Sequence, residues 1–284
     1  MTSDRIKRLV TAMAASVPDA IAKSTVVIAA GNDPIVRHFG SGTLLAVADR
    51  QFVVTAAHVV RQAQDYGSTV GIGGDSEGHF VAATGNWIVP QDDRFDIAIY
   101  PLDRVQTERL AKCTFVRIGD VSFDADLSRG FFVVSGFPSV WSTDSSDDRE
   151  TMRLRLLQYS TYAYSGDTAG LGDYDSRYHL LLDARPEHLF DASGETLRFR
   201  MASGHPAQMP GDLRGISGCG VWMIGDLRTP CQSWSADQAR LVGVETGVFH
   251  DRAAIKATRW NAVTTLLYSA FRDLRYTLKL YTGD

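Results

Sequence analysis

Ten short apolar or alternating runs, each closed by turn residues, set the pattern of this chain. They are "STVVIAA", "GTLLAVAD", "QFVVTAAHVV", "FVAATGNWIV", "DIAIYPL", "GFFVVSGF", "LRLLQYSTYAYSG", "RYHLLLDA", "GVWMI" and "ARLVGVETGVF". Segments such as "AGND", "ADRQ" and "GIGGDSEG" separate them. Many short strands without intervening helical periods predict an all-β barrel or sandwich and argue against a βαβ fold. Helical spacing appears at the two ends. Ile6, Leu9, Val10, Met13 and Val17 fall on one face near the N-terminus, and Trp260, Val263, Leu267, Ala270, Phe271 and Leu274 do so near the C-terminus. Each end is therefore expected to carry an amphipathic helix.

Between the runs, "WSTDSSDDRETM" and "SGDTAGLGDYDSR" are polar and acidic and read as exposed loops. Asp167, Asp173 and Asp175 lack the spacing of a calcium loop. "GIGGD" lacks both the glycine spacing and the following helix of a nucleotide site.

Composition narrows the class. The 284 residues are 44% hydrophobic and 22% charged, with a formal net charge of −4. This is ordinary globular material, and neither a nucleic-acid nor an anionic-membrane partner is expected. No apolar run approaches the ~20 residues of a membrane-spanning helix. Cys113, Cys219 and Cys231 are too few, and odd in number, for a disulfide framework. They read as reduced thiols of a cytoplasmic protein, the alternative being export through the basic, then apolar, N-terminal stretch. No Cys or His spacing suits zinc, so neither a metal nor a cofactor is expected.

The candidate chemistry lies in three places. His58 ends "QFVVTAAH", Asp96 opens the strand "DIAIY", and Ser217 sits between glycines in "LRGISGCGVW". Each has a plain structural reading: a rim histidine, a strand-start cap, a serine in a tight turn. Asp92 and Asp93 read as solvated neighbours. The set is more informative than its members. Acyl transfer requires a hydroxyl nucleophile, an imidazole to take its proton and a carboxylate to orient that imidazole. Asp96 follows His58 by 38 residues, and Ser217 follows Asp96 by 121. The order His, Asp, Ser fits a double β-barrel and differs from the orders of subtilisin-type and α/β-hydrolase enzymes.

On these residues the chain resembles trypsin/chymotrypsin-like serine peptidases, particularly bacterial members without a disulfide framework. The resemblance spans residues 24–275 and rests on "GSGTLL", "TAAH", "DIA", "SGFP", "GISGCG" and "LVGVETG". It implies two six-stranded-type antiparallel β-barrels, chymotrypsin-like. An N-terminal helix over 1–22 would precede a first barrel over 23–120, a second over 121–255 and a C-terminal helix over 256–275. It further implies His58 as general base, Asp96 as its orienting carboxylate, Ser217 as nucleophile, and the N–H groups of Gly215 and Ser217 as oxyanion hole. The partner would be a protein or peptide substrate, with a regulatory partner left unidentified. An esterase using the same residues, or a catalytically silent binding module on the same fold, are the alternatives.

The chain departs from the family pattern in three places. Ile216 replaces the aspartate that pairs with a cleavage-generated amine, so N-terminal processing is not expected to activate the chain. Cys219 and Gly220 replace a glycine and a proline, with Cys219 read as a small buried residue. By resemblance, Gly211 and Asp212 form the base of the substrate pocket, and Thr246, Gly247 and Val248 form its far wall. Gly211 and Val248 suggest cleavage after small or medium aliphatic residues. An inward-facing Asp212 would instead select Lys or Arg.

Overall fold

The computed structural model of the chain describes residue 12 and residues 17–32, 35–67, 69–74, 80–123, 126–139, 143–144, 152–185, 188–191 and 213–282. The first sheet comprises β1 (Thr25–Asn32), β2 (Ile35–Val47), β3 (Arg50–Ala56), β4 (Thr69–Gly73), β5 (Phe80–Ala82), β6 (Ile97–Pro101) and β7 (Val116–Arg117). Its order is β5-β4-β1-β2-β3-β6, antiparallel throughout, with β7 joining β2 in parallel. After β5 the chain crosses to Ile88, which pairs with Ile99 of β6 and draws the two edges together.

The second sheet comprises β8 (Gly130–Gly136), β11 (Leu157–Tyr162), β12 (His179–Asp183), β13 (Phe190–Asp191), β14 (Gly220–Asp226), β15 (Arg240–Phe249) and β16 (Ala254–Arg259). A two-residue pair, β9 (Thr143–Asp144) with β10 (Met152–Arg153), stands between β8 and β11. The order is β12-β16-β15-β14-β8-β11-β13, and Ala163 bridges back to Leu182 of β12. Each sheet thus curls toward closure. The expected pair of antiparallel barrels is what forms, with seven strands in each sheet.

Side-chain alternation explains why the strands read as continuous apolar runs. Leu44 and Val53 point into the core of the first barrel, while Leu45, Phe52 and Val54 point into a second layer. In the other barrel, Phe132, Val134 and Val221 face its own interior, and Phe131, Val133 and Trp222 face the same shared layer. Both faces of these strands are buried, so no polar face appears in the sequence.

The shared layer is closed by helices. Ile21 enters it from α1 (Asp19–Ser24). Two further helices, α2 (Ala57–Tyr66) and α3 (Arg104–Arg109), belong to the first barrel. Trp260, Val263 and Leu267 enter from α4 (Trp260–Ala270), and Leu278 from α5 (Arg275–Thr282).

Three boundaries differ from the sequence reading. "QFVVTAAHVV" is not one strand: β3 ends at Ala56, and α2 buries Val59, Val60 and Ala63 on one face. The C-terminal helix starts at Trp260 and not at 256, because Ala254–Arg259 pairs with both β12 and β15. The second barrel accordingly runs through Arg259. Of the expected N-terminal helix, Ala12 and Val17 pack on the shared core, and residues 1–11 and 13–16 lie outside the described residues.

Candidate active site

The first barrel positions an imidazole and a carboxylate. Helix α2 starts immediately after β3 with Ala56 at its N-cap, which provides no side-chain cap. The unpaired N–H groups of its first turn are met by Asp96 instead. Ala57 N–H donates to the Asp96 carbonyl at 3.0 Å, and His58 N–H donates to Asp96 Oδ1 at 2.9 Å. A carboxylate at a helix N-terminus is also favoured by the helix dipole. The other carboxylate oxygen, Oδ2, accepts from His58 Nδ1 at 2.6 Å. One aspartate therefore caps the helix and fixes the ring that the helix carries.

Asp96 reaches this position through a left-handed backbone conformation, φ 44° and ψ 45°, at the end of the turn Asp93–Phe95. Non-glycine residues take that conformation at some cost, and Asp is among those that tolerate it best. The second barrel braces the turn. Thr258 Oγ1 donates to the Phe95 carbonyl at 2.6 Å, and His179 Nε2 contacts the Arg94 carbonyl at 2.9 Å. Phe95 also meets Tyr178 edge-on at 4.9 Å. Asp92 caps the turn through Arg94 N–H, and Asp93 pairs with Arg61 at 3.4 Å.

The second barrel supplies the serine on the loop ahead of β14. Gly215 and Gly218 both have positive φ, +94° and +92°. At Gly218 a side chain would collide with Thr55 Oγ1 and the Ser41 carbonyl, so only glycine lets the loop approach β2 and β3 this closely. The Ser217 carbonyl accepts from Ser41 N–H at 2.8 Å, and Ser41 Oγ donates to the Gly215 carbonyl at 2.8 Å. The Arg214 carbonyl turns toward Ser139 N–H at 2.6 Å. Because a trans peptide holds C=O and N–H opposed, the Gly215 N–H points the other way. Among the described residues, neither Gly215 N–H nor Ser217 N–H has an acceptor.

Ile216 is buried in the second-barrel core. His38, which the sequence reading passed over, lies against the Gly215 turn and contacts the Gly40 carbonyl at 3.0 Å. Burial lowers its pKa to about 4, against opposing contributions from the carbonyls of Gly40 and Gly215.

A second carboxylate belongs to the same cluster. Glu245 of β15 is fully buried. Burial lifts its carboxyl to about 7, while the charge of His58 and the hydroxyl of Ser217 pull it down. The Ser217 hydroxyl adjoins this carboxylate without the geometry of a formed hydrogen bond, and it makes none to His58. Burial also lowers the His58 pKa, but the hydrogen bond and charge of Asp96, and then the charge of Glu245, outweigh it and leave a net rise. The lone acid in "LVGVETGVF" was the available signal for Glu245.

Of the residues expected to line the pocket, Gly211 and Asp212 lie outside the described residues. Thr246 is buried with its hydroxyl 3.4 Å from that of Thr258, Val248 packs at the edge of the second-barrel core, and Gly247 is half-buried. The three cysteines form no disulfide, and Cys219 is buried, its thiol pushed well up by burial.

No family model matches the chain, and no curated protein matches it. Among solved structures, a Glu endopeptidase in complex with MPD superposes with a TM-score of 0.50 at 14% identity, covering 91% of this chain and 94% of that one. The serine endoprotease from Yersinia pestis gives 0.48 at 14% identity, covering 96% of this chain and 68% of that one. The active form of the Rv3671c protease from M. tuberculosis gives 0.47 at 16%, covering 94% and 86%. At such identities the likeness is one of fold. Two curled antiparallel barrels, nearly end to end with a known endopeptidase, give this chain the fold of the trypsin/chymotrypsin-like serine peptidases.

Proposed function

We propose that the chain is a serine endopeptidase in which Ser217 is the nucleophile, His58 the general base and then acid, and Asp96 the residue that orients His58. The observation that carries this reading is the 2.6 Å bond between His58 Nδ1 and Asp96 in a site that also holds the Ser217 loop. With Nδ1–H committed to Asp96, the lone pair of Nε2 is left to take a proton. Ser217 Oγ then attacks the scissile carbonyl as its proton passes to Nε2. The oxyanion that forms is met by the free N–H groups of Gly215 and Ser217, each such donor being worth ~3 kcal/mol in a water-excluded site. The imidazolium gives its proton to the leaving amine, and water repeats the sequence to release the acyl group. For the first step the hydroxyl of Ser217 turns from Glu245 toward His58.

That same placement of the hydroxyl favours a second reading, a silent binding module on this fold. A fluorophosphonate probe separates the two. The endopeptidase reading expects covalent labelling mapped to Ser217 by peptide mass, abolished in Ser217→Ala. It expects turnover lowered by ~10⁴ in Asp96→Asn, where the imidazole loses its orienting acceptor. An unlabelled, folded wild-type chain would favour the silent module.

A further inference from the structure

Strand β15 buries a second carboxyl group behind the proposed nucleophile, and the reaction scheme has no part for it. Glu245 is tied to the serine loop on both sides of its own peptide. Gly218 N–H donates to the Glu245 carbonyl at 2.7 Å, and Glu245 N–H donates to the Cys219 carbonyl at 2.9 Å. The residue is 0% exposed, whereas Ser217 is half-buried. The Ser217 hydroxyl and the Gly247 N–H lie against the carboxyl group, neither at the geometry of a formed hydrogen bond. Of these two neighbours, only the Ser217 hydroxyl also takes part in the proposed reaction.

Ionisable groups face Glu245 from several elements. The charge of His58, on α2, favours its carboxylate, and Asp96, ahead of β6, opposes it. Tyr159 of β11 and Cys219, ahead of β14, are buried, and burial first, then the Glu245 charge, keeps both neutral. Lys256 of β16 lies within reach of His179 and makes no ion pair with Glu245 among the described residues. The Glu245 charge is thus balanced by His58, and an imidazole and a carboxyl coupled in this way titrate as a pair. Hydrogen-bond direction decides what each form does. An ionised carboxylate only accepts, so it draws the Ser217 O–H toward itself and away from His58 Nε2. A protonated carboxyl has an O–H to give. It donates to a lone pair of Ser217 Oγ, and the serine's own hydrogen is left to point at Nε2.

We infer that Glu245 is a positioning residue whose proton aims the Ser217 hydroxyl: the protonated carboxyl turns it toward His58, and the carboxylate holds it away. The inference rests on the endopeptidase reading and states which form of that site reacts. In the reactive form Ser217 passes its proton to His58 Nε2 as the bond from Oγ to the scissile carbon forms, and Glu245 keeps its own proton throughout. Two conditions must then hold together, a neutral His58 and a protonated Glu245. Burial lifts the Glu245 carboxyl to about 7, which lets both be met near neutral pH. The pair reacts in its one-proton state. Competence is lost when a second proton adds to His58, and again when the last proton leaves Glu245.

The test follows the rate of fluorophosphonate labelling at Ser217 in the full chain between about pH 5 and about pH 9. The expected wild-type profile is bell-shaped, its alkaline limb falling ~10-fold per pH unit as one proton is lost. In Glu245→Gln the side-chain amide can donate at every pH, so the alkaline limb should vanish and the rate stay level from about pH 8 to about pH 9. A purely structural role for Glu245 would change the rate without removing that limb. A wild-type rate that climbs to an alkaline plateau overturns the inference and leaves the endopeptidase reading standing. So does an alkaline limb that survives in folded Glu245→Gln. Absence of labelling in both chains at every pH removes the endopeptidase reading, and this inference with it. Should Glu245→Gln not fold, infrared difference spectra of the wild type decide. The carbonyl stretch of a buried protonated carboxyl should disappear over the same pH interval as the alkaline limb, and its loss before labelling reaches its maximum would sink the inference.

Discussion

Glu245 imposes a pH dependence on stability as well as on chemistry. Its carboxyl is lifted by burial from 4.5 to about 7 in the folded chain. The folded state therefore favours the protonated form. The associated stability is complete below the unfolded value of 4.5 and is lost as pH rises through about 7. The full span corresponds to ~3 kcal/mol. Denaturant unfolding at pH 5 and at pH 8 is expected to show wild type losing a sizeable part of that amount, and Glu245→Gln losing far less. The same substitution removes a charge that raises the His58 pKa, so the acid limb of the kcat/KM profile should move to lower pH. Legibility at this scale was uneven. His58, Asp96 and Ser217 could be picked out because each sits in a short motif at an informative position. Glu245 was visible only as an oddity in an apolar strand. Its meaning depends on Tyr159 and Ser217, which come to it from strands and loops far away in the chain.

Among the elements, α2 shows how the site and the fold share parts. Its first turn has no capping side chain of its own and relies on Asp96, 38 residues downstream of His58. Asp96→Ala should therefore cost ~1 kcal/mol of stability, as loss of an N-cap does, beyond any loss of turnover. Asp96→Asn keeps an acceptor for His58 N–H and should cost only a fraction of that by thermal or denaturant unfolding. Equal destabilisation by the two would show that charge matters more at this helix end than hydrogen bonding. The strands were readable as strands because their runs are short and turn-bounded. The α2 boundary was not, because apolar residues, interrupted only by Thr55 and His58, continue from Phe52 to Val60 with no turn residue while the backbone changes from extended to helical. The start of α4 was hidden for the opposite reason: the last residues of β16 lead straight into it without a turn signal.

Across the whole molecule, the two halves of the site are held together by the apolar layer that both barrels share. Leu45, Phe52 and Val54 from one side meet Phe131, Val133 and Trp222 from the other, under Trp260, Val263 and Leu267 of α4. Leu267→Ala should destabilise by ~3 kcal/mol through the cavity it opens. It should also lower turnover more than a cavity of equal size inside either barrel, because it loosens the seam on which the active site is built. Activity measured against denaturant midpoint for Leu267→Ala and for Val53→Ala, in the core of the first barrel, would check this. The helices that close the seam have a consequence for biosynthesis. A ribosome delivers His58 and Asp96 first, Ser217 much later, and α4 and α5 only after both barrels. A nascent chain therefore carries a complete imidazole–carboxylate pair but neither a nucleophile nor the clamp that would align one. If the chain cuts proteins as proposed, it becomes able to do so only after α4 and α5 have been made, long after its imidazole and carboxylate.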